Sequence, residues 1–348
     1  MDVLVNESIG GSGSGSGELN NPRGVVVAKG STEEPLAYIS DYENNRIQVF
    51  NAVSGKFLRT VGKGPGPIVT PRTAEVQQIK WLENFDLRLH IKKSLDTEDL
   101  ESHEPGQLYH PRGLAFSGPS TSNPMSSLYC ADYNNHRVEI FNADSGWHVM
   151  TIGSRGNDHG EFDRPTDVVV QMPNEQGDST STNRDIILYV CDGDNHRIEV
   201  FNANNGKYLR SIGNGKGSNP GQMNYPQAIA LQEAADGSEA KIYVVDRYSP
   251  RVQVFNALSG SFLSSFGEDC LHSPRGLAYV QSGDQKLIYV SCVTSKTIEI
   301  FDASTYKVVR TISTGNDSIV TSLCAYPTTG KPVVIYCDQN DHQVHFHE

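Results

Sequence analysis

The chain contains an internal repeat, which constrains its fold more than any other feature of the sequence. Four stretches align without a gap, each beginning with Tyr and ending with Phe: residues 38–50, 129–141, 189–201 and 243–255. Two weaker copies follow at residues 289–301 and 336–347. The last three copies close at intervals of 46 residues. The sequence therefore predicts six structural units of about 46 residues.

Each unit has room for four short β-strands. In the second unit, apolar stretches lie at residues 114–116, 128–131, 138–141 and 148–152, separated by turn residues. Four strands per repeat at this period are typical of a β-propeller blade. The last repeat lacks an outer strand, and residues 2–9 have no repeat of their own. The sequence therefore predicts an all-β, six-bladed β-propeller of four-stranded antiparallel blades, the last blade closed by the N-terminal strand.

A Ser- and Gly-rich run at residues 9–24 has the composition of a flexible linker. Residues 212–227 have the same length and the same Ile-Gly start, followed by Gly-Gln where the first run has Gly-Glu, then an apolar residue and Pro. The alignment indicates that the run at residues 9–24 is an ordered connection between two blades.

Pro-x-Gly before the first strand and Asp-x-x-Asn-x-Arg between the second and third strands occur in full in the first two repeats. The third repeat has Asp167 in place of the Gly, and the fourth keeps Asp246 and Arg251. This pattern resembles the NHL repeat, whose domains are six-bladed propellers. The Asp side chain can cap backbone N–H groups, the Asn can take the left-handed conformation of the turn, and Arg can bind a carboxylate, so we expect the motif to stabilise each blade. The motif residues are Asp41, Asn44, Arg46, Asp132, Asn135, Arg137, Asp192, Asn195, Arg197, Asp246 and Arg251.

Arginine recurs in the Pro-x-Gly segment at one equivalent position, as Arg23, Arg112 and Arg275. This position precedes the innermost strand and is expected to face the mouth of the central channel. Guanidinium groups gathered there could bind a carboxylate, a phosphate or an acidic side chain of a partner. The alternative is that each Arg pairs with an acidic residue of the next blade.

An insertion at about residues 67–105 distinguishes this chain from a plain repeat array. Phe50 and Phe141 are 91 residues apart, nearly twice the repeat length. Residues 71–105 contain no Gly, which favours an elaborated inter-blade loop over a seventh blade. The loop carries Trp81 and Phe85, which are expected either to cap the channel or to dock a partner. The predicted organisation is one propeller spanning residues 1–348 that contains this inserted segment.

Composition excludes several classes of function. Asp and Glu number 41 against 29 Lys and Arg, a net charge of −12 that disfavours RNA binding. No apolar run is long enough to span a membrane, and no Cys-x-x-Cys pair occurs among the 6 Cys, which predicts free thiols and a cytoplasmic location. Of the 11 His, only His110 and His272 lie beside first-strand starts, too few for a zinc site. We predict no catalytic residue, metal or cofactor.

The sequence thus favours a non-catalytic interaction module, monomeric as a domain, that binds a protein or peptide on the face bearing the inter-blade loops. The NHL resemblance implies a role such as substrate recognition for a ubiquitin ligase. It also leaves two alternatives: a channel metalloenzyme of the peptide-amidating lyase or hydrolase type, and an RNA-binding propeller.

Overall fold

Short β-strands joined by tight turns make up nearly all of the described chain. The computed structural model describes residues 8–29, 34–62, 104–120, 123–173, 185–234, 239–327 and 332–347. Within these ranges, the helical elements are single 3-10 turns at Tyr42–Asn44 and Tyr133–Asn135. No helix in the described part of the chain is long and apolar enough to cross a membrane.

The strands form six antiparallel four-stranded sheets. Blade 1 contains β2 (Pro22–Ala28), β3 (Leu36–Asp41), β4 (Arg46–Asn51) and β5 (Phe57–Val61). Blade 2 contains β6 (Pro111–Ser117), β7 (Ser127–Asp132), β8 (Arg137–Asn142) and β9 (His148–Ile152). Blade 3 contains β10 (Pro165–Gln171), β11 (Ile187–Asp192), β12 (Arg197–Asn202) and β13 (Lys207–Ile212).

The remaining blades repeat this order of strands. Blade 4 contains β14 (Pro226–Gln232), β15 (Lys241–Asp246), β16 (Arg251–Asn256) and β17 (Phe262–Phe266). Blade 5 contains β18 (Pro274–Ser282), β19 (Gln285–Cys292), β20 (Thr297–Asp302) and β21 (Val308–Ser313). Blade 6 contains β22 (Val320–Tyr326), β23 (Val333–Asp338), β24 (Gln343–His347) and β1 (Ile9–Gly10).

The blades form a closed ring. The first strand of each blade contacts the first strand of the next, and β22 contacts β2. The N-terminal strand completes blade 6, with Ile9 opposite Val344 and Gly10 opposite Gln343. The predicted six-bladed propeller and its closure by the N-terminal strand are therefore confirmed.

Side-chain burial explains why each second strand is almost uniformly apolar. These strands lie inside a blade whose two faces pack against the neighbouring blades, so both of their faces are buried. All six residues of β3 and of β7 are buried, and the tyrosines Tyr38 and Tyr129 are at most 1% exposed. Their large rings fill the space between blades, where each fully buried aromatic side chain contributes about 2 to 3 kcal/mol.

The glycine of Pro-x-Gly marks the closest approach between adjacent blades. A Cβ atom on Gly24 would lie 2.2 Å from the carbonyl oxygen of Arg112 in blade 2. On Gly113 it would lie 2.5 Å from the Cα of Asp167 in blade 3. In blades 1 and 2, glycine at this position therefore lets the first strands pack closely around the channel.

The connections between blades agree in part with the sequence analysis. In the Ser/Gly run, Ser12 bridges Leu19 as Lys216 bridges Met223 in the corresponding connection, so the run is an ordered inter-blade loop. Strands β2 and β6 pack directly together, which leaves no place for another blade between blades 1 and 2. The proposed insertion at residues 67–105, with Trp81 and Phe85, lies outside the described residues apart from its last two positions.

Candidate functional site

The repeat motif ties each second-to-third-strand turn to the loop that enters the blade. In blade 1, Asp41 Oδ1 accepts the backbone N–H of Asn20 at 2.6 Å. Arg46 Nε donates to Asp41 Oδ2 at 2.7 Å, and its Nη2 donates to the carbonyl of Glu18 at 2.9 Å. Asn44 donates to the same carboxylate at 2.9 Å. One carboxylate thus organises both segments.

The contacts of this carboxylate with the preceding loop and with the motif Arg recur in blades 2 to 4. Asp132, Asp192 and Asp246 each accept a backbone N–H from the preceding loop, at 2.7, 2.8 and 2.7 Å. Their arginine partners are Arg137, Arg197 and Arg251. Burial raises the pKa of Asp132 to about 6 although Arg137 and the turn hydrogen bonds favour its ionised form. In blade 5 the carboxylate is replaced by Cys292.

The left-handed residue of the turn lies one position after the place suggested by the sequence. We expected the motif Asn to adopt this conformation, but the following residue does: Asn45 has φ 53° and His136 has φ 54°. The motif residues Asn44 and Asn135 instead donate to the aspartates. The hydrogen bond to the carboxylate is incompatible with using the same residue as the reversal point.

These left-handed residues also join neighbouring blades. Asn45 Oδ1 accepts the N–H of His110 at 2.8 Å, and His196 Nδ1 accepts the N–H of Tyr225 at 3.1 Å. Equivalent bonds join His136 to Arg164 and His342 to Asn21. An imidazole nitrogen accepts a hydrogen bond only when it is unprotonated. Burial and the nearby Lys216 lower the pKa of His196, which favours that neutral form.

A cavity of about 230 Å³ lies at the channel mouth, on the face that carries the inter-blade loops and the second-to-third-strand turns. We call this the turn face. Arg23, Arg112 and Arg275 all line the cavity, as their shared position predicted, and Arg247 of blade 4 joins them. The ring thus brings together four guanidinium groups that are far apart in sequence.

Tyrosine side chains contact three of these arginines, among them Arg247, whose Cζ atom lies 5.0 Å from the Tyr248 ring. The Cζ atom of Arg112 lies 3.4 Å from the ring centroid of Tyr133 and 5.6 Å from that of Tyr42. The Cζ atom of Arg23 lies 5.0 Å from the Tyr42 ring, and Arg112 Nη1 donates to the hydroxyl of Tyr225 at 3.4 Å. Guanidinium groups stacked on aromatic rings keep their edges free to bind anions.

The channel-mouth arginines have no acidic partner in the described part of the chain. Among the described residues, no ion pair includes Arg23, Arg112, Arg247 or Arg275, in contrast to the motif arginines. The Nε atoms of Arg23, Arg112 and Arg275 are buried without a hydrogen-bond acceptor in the described part of the protein. Burial and the other guanidinium groups lower the pKa of Arg23 and of Arg275 to about 10. The cavity therefore carries a concentrated positive charge.

Asp167 is the acidic residue of the cavity lining. It occupies the Pro-x-Gly glycine position of blade 3, and its two oxygens accept the N–H groups of Val168 at 2.9 Å and Ile229 at 3.0 Å. Burial raises its pKa to about 7, against the effect of those two hydrogen bonds. Asp167 thus bonds to backbone rather than to the arginines.

Sequence reasoning missed several of these residues. Tyr42, Tyr133 and Arg247 all occupy the position immediately after the motif Asp, which the repeat pattern leaves variable. Their shared position was the available signal, since it lies beside the first-strand start in every blade. In two of the three blades without the Pro-x-Gly arginine, Thr166 and Thr321 donate to the first carbonyl of the next blade, at 2.8 and 3.0 Å.

The channel lining does not suit a metal ion. Among the described residues it contains four arginines, one Asp and neither His nor Cys, so a divalent cation would meet repulsion rather than ligands. His110 stacks on Tyr42 at 4.2 Å instead of entering the cavity. Asp338, Asp341 and His345 lie close enough together to share an ion, but exposed acidic groups often cluster without one.

The fold and the repeated motif define an NHL-type six-bladed β-propeller. No protein-family model matches the chain. It is 32% identical to Protein brain tumor of Drosophila melanogaster over 153 residues, which cover 43% of this chain and 12% of that protein. It is 26% identical to peptidyl-glycine alpha-amidating monooxygenase B of Xenopus laevis over 199 residues, 53% of this chain and 20% of that protein. The chain therefore spans a small part of either relative.

Solved structures show the same architecture at low sequence identity. Hydrazine synthase of Kuenenia stuttgartiensis superimposes with a TM-score of 0.52 and 12% identity, covering 94% of this chain and 95% of that chain. Virginiamycin B lyase of Staphylococcus aureus gives a TM-score of 0.50 and 13% identity, covering 91% and 77%. These similarities concern the fold alone, because propellers of one architecture perform unrelated functions.

Proposed function

We propose that this propeller is a non-catalytic recognition module that binds a protein partner on its turn face. One observation carries the proposal: four arginines that have no acidic partner among the described residues converge on the channel mouth of that face. Buried or half-buried cations without counter-charges are costly to a fold, so their retention favours a role in binding. Recognition of a substrate for a ubiquitin ligase would be one case of this function.

The test compares proteins captured by the wild type with those captured by Arg112→Glu. The matched control is Arg310→Glu, which makes the same charge change on the exposed outer strand β21. We expect partners bound by the wild type to be retained by the control and lost from Arg112→Glu. Equal capture by all three proteins would refute the assignment of the turn face. Circular dichroism confirms that each variant is folded before capture.

RNA binding is the second candidate, because the turn face alternates Arg with Tyr around the channel mouth. Tyr133 contacts both Arg112 and Arg164, and such an alternation could stack bases while neutralising phosphates. The net charge of −12 opposes it. An RNA-binding function predicts retention of single-stranded RNA that falls steeply with salt and is lost in Arg112→Glu. We expect no such retention at physiological salt.

An enzymatic function of the amidating-lyase type has support from the Xenopus relatives alone. The four-arginine lining argues against a catalytic metal in the channel. Metal analysis of the purified protein tests this directly: a stoichiometric divalent ion that is lost on substitution of a residue lining the channel would favour the enzyme.

We also propose that the module works in the reducing cytoplasm. All six cysteines are free thiols, and Cys130, Cys191, Cys292 and Cys337 are buried. Burial raises the pKa of the Cys130, Cys191 and Cys337 thiols, which disfavours the reactive thiolate. Such thiols act as small apolar core residues, a use that is common where disulfides do not form.

A further inference from the structure

The channel-mouth cavity combines size, charge and convergent donors in a way that specifies a ligand. Its arginines come from blades 1, 2, 4 and 5, so their guanidinium groups approach from different sides of the channel. A ligand at the centre would meet donors around most of its circumference. This arrangement differs from a single Arg fork, which binds a planar carboxylate along one edge.

The positive charge in the cavity is not balanced internally. If Asp167 is ionised, it supplies one negative charge against four positive charges, and its oxygens are already engaged by the backbone of Val168 and Ile229. Burial lowers the pKa of Arg23 and Arg275, and repulsion from the neighbouring arginines lowers it further. An anion carrying two negative charges would relieve more of this repulsion than a monoanion.

Several arginines are already oriented for binding. Arg112 stacks on Tyr133 and bonds to Tyr225, while Arg23 stacks on Tyr42. Side chains held in this way lose less conformational entropy when a ligand binds.

We propose that this cavity binds a doubly charged tetrahedral oxyanion, namely a phosphate or a phosphate monoester. The inference deepens the proposed function and rests on it in one respect: on a protein partner, the oxyanion would be a phosphorylated side chain. Binding of free phosphate does not depend on that function. The cavity chemistry and the recognition function can therefore fail separately.

The first experiment measures phosphate binding by calorimetry and by the melting temperature, with sodium chloride at equal ionic strength as reference. We expect phosphate to raise the melting temperature of the wild type, since a ligand that binds only the folded state stabilises it. Acetate is the monoanion comparison, and a phosphoserine peptide tests whether the group is accepted on a chain. The peptide and free phosphate distinguish a modified protein from a small phosphorylated ligand.

Arg275→Gln is the informative variant, because in the described part of the chain Arg275 makes no hydrogen bond or ring contact that its loss would break. Removing it should raise the melting temperature without phosphate, since mutual repulsion falls, and weaken phosphate binding about tenfold. A merely structural arginine would lower the melting temperature and leave the phosphate effect unchanged. Arg310→Gln on β21 is the control and should bind phosphate like the wild type.

Three outcomes would overturn the inference. Phosphate could stabilise the protein no more than sodium chloride does; acetate could bind as tightly as phosphate; or Arg275→Gln could bind phosphate like the wild type. If phosphate binds as expected but partner capture is insensitive to Arg112→Glu, the oxyanion site stands and the recognition function fails. If capture depends on Arg112 but phosphate does not bind, the recognition function stands and the oxyanion site fails.

Discussion

Asp167 gives the most specific prediction about stability. Burial in the channel raises the pKa of its carboxyl group from 3.8 to about 7. Between these two values the folded protein keeps the proton that the unfolded chain has lost. Its free energy of unfolding therefore falls as the pH rises through this range, and the full loss applies above about pH 7. Asp167→Asn removes the titration while preserving the shape of the side chain.

The magnitude follows from the size of this change in pKa. At about 1.4 kcal/mol per pH unit, moving the pKa from 3.8 to about 7 corresponds to a total of about 4 kcal/mol. From about pH 5.5 to about pH 8 the wild type should lose about 2 kcal/mol relative to Asp167→Asn. At about pH 5.5 the variant should be about 1 kcal/mol less stable than the wild type, because an amide offers one acceptor oxygen to the two N–H donors, and above about pH 7 it should be the more stable of the two.

The assay is urea unfolding of both proteins across this pH range, in zwitterionic buffers without phosphate. The difference between the two free energies of unfolding, plotted against pH, isolates Asp167 from the other buried acids, which both proteins share. A difference that stays constant with pH would refute the reasoning. A wild type that gains stability relative to Asp167→Asn as the pH rises would also refute it, because that trend would mean that the arginines hold Asp167 ionised.

Three further predictions concern the contacts between and within blades. Gly113→Ala should cost more than about 2 kcal/mol, because its Cβ would lie 1.9 Å from Asp167 Oδ1. The control Gly118→Ala, whose Cβ would have nothing within 4 Å, should be nearly neutral. Equal melting temperatures of the two variants would contradict the close approach at Gly113. His196→Asn should keep an acceptor for the backbone N–H of Tyr225, as Asn45 does for His110 in blade 1. The variant should lose less stability than the wild type as the pH falls below about 6.5. Identical pH profiles of the two proteins would exclude a neutral His196 acceptor. Asp132→Ala should cost about 3 kcal/mol in urea unfolding because the hydrogen bonds of Tyr109, Asn135 and Arg137 to its carboxylate are lost, whereas Cys292→Ala at the same place in blade 5 should cost about 1 kcal/mol; equal costs would deny the carboxylate its organising role.

The sequence was sufficient to predict the fold because the same pattern of apolar and turn residues recurs in each repeat. The apolar spacing, the turn motif and the unpaired strand at the N-terminus all pointed to one closed ring, and Ile9 does pair with Val344. The shared position of Arg23, Arg112 and Arg275 was likewise enough to bring them to one cavity. Residues at the same position of different repeats occupy corresponding places in their blades, and those at the first-strand start therefore meet around the channel.

The rest of the site could not be predicted, because it depends on positions that the repeat leaves free. Tyr42 and Tyr133 stack on arginines of the channel mouth, but nothing in one repeat indicates which neighbouring blade its variable residue will meet. Asp167 was visible as a departure from glycine. Its role depends on the backbone N–H of Ile229 in the next blade, which is a tertiary contact.

The pairing of β1 with β24 has a consequence for how the ring is made during translation. The first of the described strands must wait for the last, because Ile9 has no partner until Val344 has left the ribosome. Until then blade 6 lacks its outer strand, and closure must bring together the most distant described parts of the chain. Contacts of such high sequence separation are slow to form, so ring closure is expected to limit the rate of productive folding.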